Sequence, residues 1–199
     1  MQIDISSNIK KVKKQLVGIE KKAIPQATRF TVNNLAFNIA RKELPKRADK
    51  KFEGGATAWT KRGFGYKKAK RGQTAAMVFI RDNQAKYLKY QIDGGTRTPD
   101  KSSILIPTDK ARKNKYGNLT RGTYSKIANN DGYFKARDKV FKRVGKKGKT
   151  KVVATYKKKA TYKPKFKYYN YSLGYVNNPR KGFNATFANE LAKQLARVK

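Results

Sequence analysis

The chain has no histidine and no cysteine, so acid–base or metal chemistry falls to its 12 aspartates and glutamates. Without histidine the usual base near neutral pH is missing, and without cysteine there is no disulfide or thiolate metal site. What remains open is a carboxylate site of the nuclease kind, in which at least two acids converge on divalent ions. Asp93, Asp100 and Asp109 come nearest to a cluster. Each has a simpler role: Asp93 in a helix-ending turn, Asp100 in a Pro-Asp turn, and Asp109 just after Pro107, all settings that aspartate favours. No catalytic residue, metal ligand or cofactor is assigned, and the chain is expected not to be an enzyme. A nuclease would require these dispersed acids to converge.

The second chemistry is neutralisation of phosphate. Fifty Lys and Arg against 12 acids give a formal charge of +38 over 199 residues, which invites a polyanionic partner. The densest run is Lys142, Arg143, Lys146, Lys147, Lys149, Lys151, Lys157, Lys158 and Lys159, with no acid among them. These residues are the candidate nucleic-acid contacts, suited to phosphate and poor at reading sequence. A membrane is disfavoured, because no apolar run approaches the roughly 20 residues a spanning helix needs and MQIDISSNIKK lacks the apolar region of a signal peptide. Synthesis in the cytoplasm is expected, and the lack of cysteine fits a reducing compartment.

These residues need a scaffold, and the stretch Asp82–Pro107 organises it. Asp82 is expected to cap a helix carrying Ala85, Leu88 and Ile92, Gly94 and Gly95 to stop it, and Ile104-Leu105-Ile106 to form a short buried strand ended by Pro107. Before it, Ile5, Ile9, Val12, Leu16 and Ile19 mark a narrow amphipathic helix capped by Ser6 or Ser7, lying against its own domain or a neighbouring subunit. Pro25 kinks this helix or opens a second, more deeply packed one with Phe30, Val32, Leu35, Phe37 and Ile39, which Pro45 ends. Trp59 reads as a core or interface anchor rather than a base-stacking platform. Gln73–Ile80 reads as a strand. Asn114–Ala128 is expected to be a loop with Gly117 at positive φ, then a short helix.

From Gly132 to Tyr171 the texture is β, with a hairpin of Val140–Val144 and Val152–Tyr156 around GKKGK whose lysines alternate outward. The Lys-Tyr interleaving of KPKFKYYNY suits a half-exposed strand, and offers stacking surfaces to single-stranded nucleic acid as the alternative. Asn178 as cap and Pro179 at the first position start a helix with Phe183, Phe187, Leu191 and Leu195 at i+4 spacing. The expected fold is α+β: an amino-terminal helical arm (1–45), then one domain (46–199) with a central, mostly antiparallel sheet, short helices, the basic hairpin and a carboxyl-terminal amphipathic helix.

The stretches ATAWT (56–60), AKYLKYQIDGGTR (85–97), the Ile106-Pro107 pair and NKYGNLTRG (114–122), together with KKAIPQATRFTVNNLA and YKPKFKYY, resemble in order a family of tailed-phage structural proteins. They are similar more loosely to the minor tail protein Z (tail completion) group, and the likeness runs from Lys21 onward. The resemblance implies a virion protein at the neck, assembled in the host bacterial cytoplasm as a homo-oligomer, a hexameric ring. Its implied partners are the tail terminator or tail tube, the head–tail connector and double-stranded DNA. The matching positions are Tyr87, Leu88, Gly94, Gly95 and Arg97, then Tyr116, Gly117, Asn118 and Leu119, which with Trp59 are expected to determine fold or interface. The Lys-rich hairpin follows no pattern of that family, so its DNA contact rests on charge. A free, nonspecific nucleic-acid-binding protein of ribosomal or nucleoid type is the alternative reading.

Overall fold

The computed structural model describes residues 9–99, 102–145 and 148–197. The expectations placed on Ile5, Ser6, Ser7, Asp100, Lys146, Lys147 and the side chain of Ile9 lie outside the described residues. The chain begins with α1 (Ile9–Gly18), a π-helical turn (Ile19–Ala23), α2 (Ile24–Asn38), a second π-helical turn (Ile39–Glu43), α3 (Leu44–Lys51) and α4 (Ala58–Arg62). The middle holds β1 (Phe64–Lys67), β2 (Met77–Ile80), α5 (Asp82–Ile92), β3 (Gly95–Arg97), β4 (Ile104–Pro107) and α6 (Arg121–Ala128). Then come β5 (Tyr133–Ala136), β6 (Lys139–Val144), β7 (Lys149–Lys157), β8 (Ala160–Tyr162), α7 (Tyr168–Val176) and α8 (Phe183–Leu195). The class is mixed α+β, as expected. No helix among the described residues is long and apolar enough to cross a membrane.

The chain groups into two compact units. Met1–Pro45, expected as an arm, groups with Arg62–Arg81 and Tyr168–Lys199, while Lys46–Lys61 and Asp82–Lys167 form the other unit.

The helical run does not end at Pro45, since α3 runs from Leu44 to Lys51, whose residues from Lys46 on belong to the second unit. Proline has no N–H to donate and its ring crowds the carbonyl four residues back. Both prolines are accommodated in the same way: the N–H of Ile24 reaches Ile19 O and that of Leu44 reaches Ile39 O, wide i→i+5 turns placed just ahead of Pro25 and Pro45. The heptapeptides IEKKAIP and IARKELP repeat this device. Between them α2 buries Ala27, Thr31, Leu35 and Ala36, a seam of mostly small side chains packed with α8. Thr31 satisfies its hydroxyl on Ala27 O at 2.8 Å. This second helix is thus the deeper one, and the stripe of α1 is open, with Leu16 60% exposed.

Helix α8 starts later than the Asn178 cap predicts. Asn178 Oδ1 accepts from the backbone N–H of Arg180 and Lys181, and Asn178 O accepts from Gly182, so the asparagine closes a turn ahead of the helix. Phe183 and Phe187 stack 5.7 Å apart on α8.

In the second unit the main sheet is antiparallel in the order β4-β7-β6-β5. Tyr133, Val140, Val153 and Ala154 pack with Leu119 and Ile127 as its core. Strand β4 is half-buried rather than buried, because it is the edge strand, where Pro107 removes no needed donor. Asp82 is the first helical residue of α5 rather than its cap, and its charge lies at the positive end of the helix. Gly94, at φ +74°, ends that helix where a Cβ would meet Pro164 Cδ at 2.9 Å. The close approach lets Gln91 O accept from the N–H of both Lys165 and Phe166, each at 2.8 Å. The predicted strand through KPKFKYYNY is therefore replaced. The ladder stops at Tyr162 before Pro164, Phe166 is fully buried against Phe52, and Tyr168 opens α7.

Candidate functional site

The basic hairpin forms where the sequence places it, in β6 and β7, with Lys142 opposite Lys151, Arg143 opposite Thr150 and Val144 opposite Lys149. Its lysines do not all alternate outward. Lys142, two residues after Val140 on β6, shares its face, and the register shift there, which leaves Val153 of β7 unpaired, brings Lys151 to the face of Ala154 as well, continuing the core face past the end of the core. Arg143 lies on the other face. The aromatic neighbours agree: Lys142 Nζ sits 5.7 Å from the Tyr133 ring and Arg143 Cζ 5.2 Å from the Phe134 ring. Lys157, Lys158 and Lys159 are exposed at the far end of β7 and the turn after it. Among the described residues none of these seven cations, Lys142, Arg143, Lys149, Lys151 and Lys157 to Lys159, forms an ion pair with an acid. From Asp138 to Glu190 the sequence itself supplies no acid. Cations on both faces make this a finger that can meet phosphates from either side.

The positions singled out by resemblance converge in the same unit. Helix α4 is opened by Thr57, whose Oγ1 accepts the N–H of Thr60 at 3.0 Å. Tyr87, on α5, donates its hydroxyl to Thr60 Oγ1 at 2.9 Å, and Thr60 Oγ1 is in turn 2.8 Å from Thr57 Oγ1. Buried Gln84 donates to Trp59 O at 3.2 Å. Trp59 is 53% exposed and stacks on Tyr87, with ring centroids 5.5 Å apart and planes within 18°. It is not a core residue, because Thr60 and not Trp59 is the residue of α4 that turns inward. Asn114 Oδ1 accepts the N–H of Tyr116 and Asn118, and Gly117 has φ +76°, so that loop is self-fastened. Thr57, Thr60, Tyr87, Tyr116, Asn118 and Lys165 line one cavity of about 520 Å³. Leu88 is fully buried, while Gly94 and Gly95 turn the chain into β3, where Arg97 pairs with Ala160. Arg97 and Gly95 stand apart from the cavity lining.

Burial of the Tyr87 ring raises its pKa above 10.0, against the lowering effect of Thr60. Asp49 is held below 3.8 first by its hydrogen bond from Lys61 and then by that from the Ala56 N–H. Its carboxylate is 2.8 Å from Lys61 Nζ. Asp49, Lys61, Thr57 and Gln84 take part in this arrangement although the sequence singles out none of them as a site residue. Thr57 has only a local signal, a threonine three residues ahead of Thr60 at a helix start. The other three act through partners distant in sequence and have none.

Of the aspartates considered for metal chemistry, Asp100 lies outside the described residues, and Asp93 and Asp109 have local roles. Asp109 is 3.2 Å from Lys113 and the Asp93 N–H closes the last turn of α5 on Lys89 O. Among the described residues no group of three or more His, Cys, Asp or Glu is placed to hold a metal ion. No protein-family model matches the sequence, and neither curated proteins nor solved structures give a match.

Proposed function

We propose that this chain is a structural protein of a tailed-phage virion at the head–tail junction, assembled with copies of itself around the DNA path and touching that DNA through lysines. The observation that carries the polyanion contact is the hairpin in which Lys142 faces Lys151 across adjacent strands and, among the described residues, neither forms an ion pair with an acid. Like charges opposed in a ladder repel, and a phosphate between or beside them removes the repulsion. Placement at the junction is supported by the resemblance of Ala56–Thr60, Ala85–Arg97 and Asn114–Gly122. Val12 and Leu16 on α1, with Trp59, are open apolar surface for contacts between copies. A closed ring would bring many such hairpins to one duplex. The tail terminator or tail tube and the connector are its expected neighbours, and no catalytic step is assigned to it.

The test is to image purified tailed particles carrying a label fused to the carboxyl end of this chain. A signal at the neck in a fixed small number of copies supports the reading. Absence from particles, with the chain recovered on cellular RNA or DNA, overturns it and leaves a free nucleic-acid binder.

A further inference from the structure

The first π-helical turn helps to build a second basic feature, in the unit that does not contain the hairpin. Lys21, Lys22, Pro25, Gln26 and Arg29 form one wall of a cavity of about 460 Å³, and the turn Arg71–Thr74 forms the other. Four of the lining side chains are cationic and none is acidic. Glu20, next in sequence, is not part of the lining. The two walls are fastened together. Asn33 Nδ2 donates to Ala69 O at 3.2 Å and Asn33 Oδ1 accepts from the Ala69 N–H at 2.7 Å, so one side chain grips the backbone of the loop as a neighbouring strand would. That loop then folds on itself: Gln73 Oε1 accepts from the Lys70 N–H at 2.9 Å, Lys70 O accepts from the Gln73 N–H at 3.0 Å, and Gly72 takes φ +83°. Lys21, Pro25, Arg29 and Asn33 follow one another at i+4 spacing along the helical run. The residue that grips the loop therefore stands one turn from the arginine that faces into the cavity wall.

We propose that this cavity is a phosphate-binding site for the nucleic-acid backbone, separate from the hairpin. It has room for a phosphodiester with a flanking sugar and water, and Arg29 and Arg71 can each offer a planar fork to phosphate oxygens. The proposal rests on the reading of the chain as a DNA-contacting protein and adds a second contact to it.

The experiment measures binding of the full chain to a short duplex DNA of random sequence over a series of salt concentrations. Arg29→Gln with Arg71→Gln is expected to lower the slope of log affinity on log salt by about two, since each phosphate contact contributes roughly 0.9. Asn33→Ala changes no charge, and it is expected to weaken binding several-fold because the loop is no longer held. Circular dichroism of each variant checks the fold, and Arg29→Lys with Arg71→Lys retains the charge should the glutamines unfold the unit. If the arginine and asparagine variants bind as the parent does while Lys151→Gln lowers the slope, the cavity is not a site and the hairpin reading stands. If Lys151→Gln also leaves the slope unchanged, both readings fall. A loss with the arginine variants but none with Asn33→Ala would mean diffuse charge rather than a built site, and would overturn the proposal.

Discussion

The Tyr87 hydroxyl donates to Thr60 Oγ1 at 2.9 Å while its ring lies stacked 5.5 Å from that of Trp59, so one side chain ties α5 to α4 by both its polar end and its face. Thr60 passes the bond on, its oxygen lying 2.8 Å from Thr57 Oγ1, which also accepts the Thr60 N–H. Tyr87→Phe keeps the stack and leaves Thr60 bonded to Thr57, so it is expected to cost about 1 kcal/mol. Thr60→Val removes the middle of the chain and leaves a half-buried tyrosine hydroxyl without its acceptor, at about 2 kcal/mol. Urea midpoints of the two variants check the order. Equal midpoints would show that the relay through Thr60 adds nothing.

Stability is expected to fall on the alkaline side through three tyrosines. Burial raises the pKa of Tyr87, Tyr168 and Tyr175 above 10.0, Tyr169 adding to the effect at Tyr168 and Glu43 at Tyr175. A raised folded-state value means that the folded chain holds these protons after the unfolded chain releases its own. Their contribution is whole below pH 10 and is lost as pH rises through the folded values. Followed by tyrosinate absorbance, these three should ionise at higher pH in the folded chain than in the chain unfolded by urea. Phe at all three positions should flatten the loss of stability above pH 10. Asp49 acts in the opposite sense, its lowered pKa adding stability above 3.8 that is lost in acid, with a small effect because the group is exposed.

Gly54 sits at φ +67° where a Cβ would fall on the backbone carbonyl oxygen of Lys115. The obstacle is main chain, and the loop it belongs to is fastened by Asn114, so neither side can move cheaply. Gly54→Ala is expected to cost about 3 kcal/mol or more. It should also part the two loops that bring Glu53 and Tyr116 to one cavity, read as faster proteolysis between Lys115 and Arg121.

The parts of the fold that follow from local chemistry were open to the sequence. Gly94 and Gly95 end α5 because only glycine takes such φ values freely, and the hairpin forms between two apolar runs bounded by glycines. Pro45 misled because a helix can widen ahead of a proline, and the signal for it was the repeat of IEKKAIP as IARKELP. KYYNY misled because Lys-Tyr alternation fits a strand, while the fate of the segment is set by Phe166 and by Gln91, more than seventy residues earlier. The shift between Val140 and Phe141, which decides where Lys151 points, is a matter of pairing across strands and leaves no mark in composition. For the same reason the meeting of Thr60, Tyr87 and Tyr116 was unreadable as geometry, although all three lie in the stretches that carry the resemblance.

Lys151 offers the cleanest separation of binding from stability. It faces Lys142 directly, and like charges so placed weaken a ladder by a few tenths of a kcal/mol. Lys142 has a compensating contact in the Tyr133 ring at 5.7 Å, worth about 0.5 kcal/mol at an exposed site. Lys151→Gln therefore relieves the repulsion and spares that contact, and it is expected to raise stability by a few tenths of a kcal/mol. Lys142→Gln removes both terms, which nearly cancel, and should leave the urea midpoint unchanged. In duplex DNA binding the two should look alike, each lowering the salt slope by about one. A hairpin that does not touch DNA would show the same stability pattern, with neither change altering the slope.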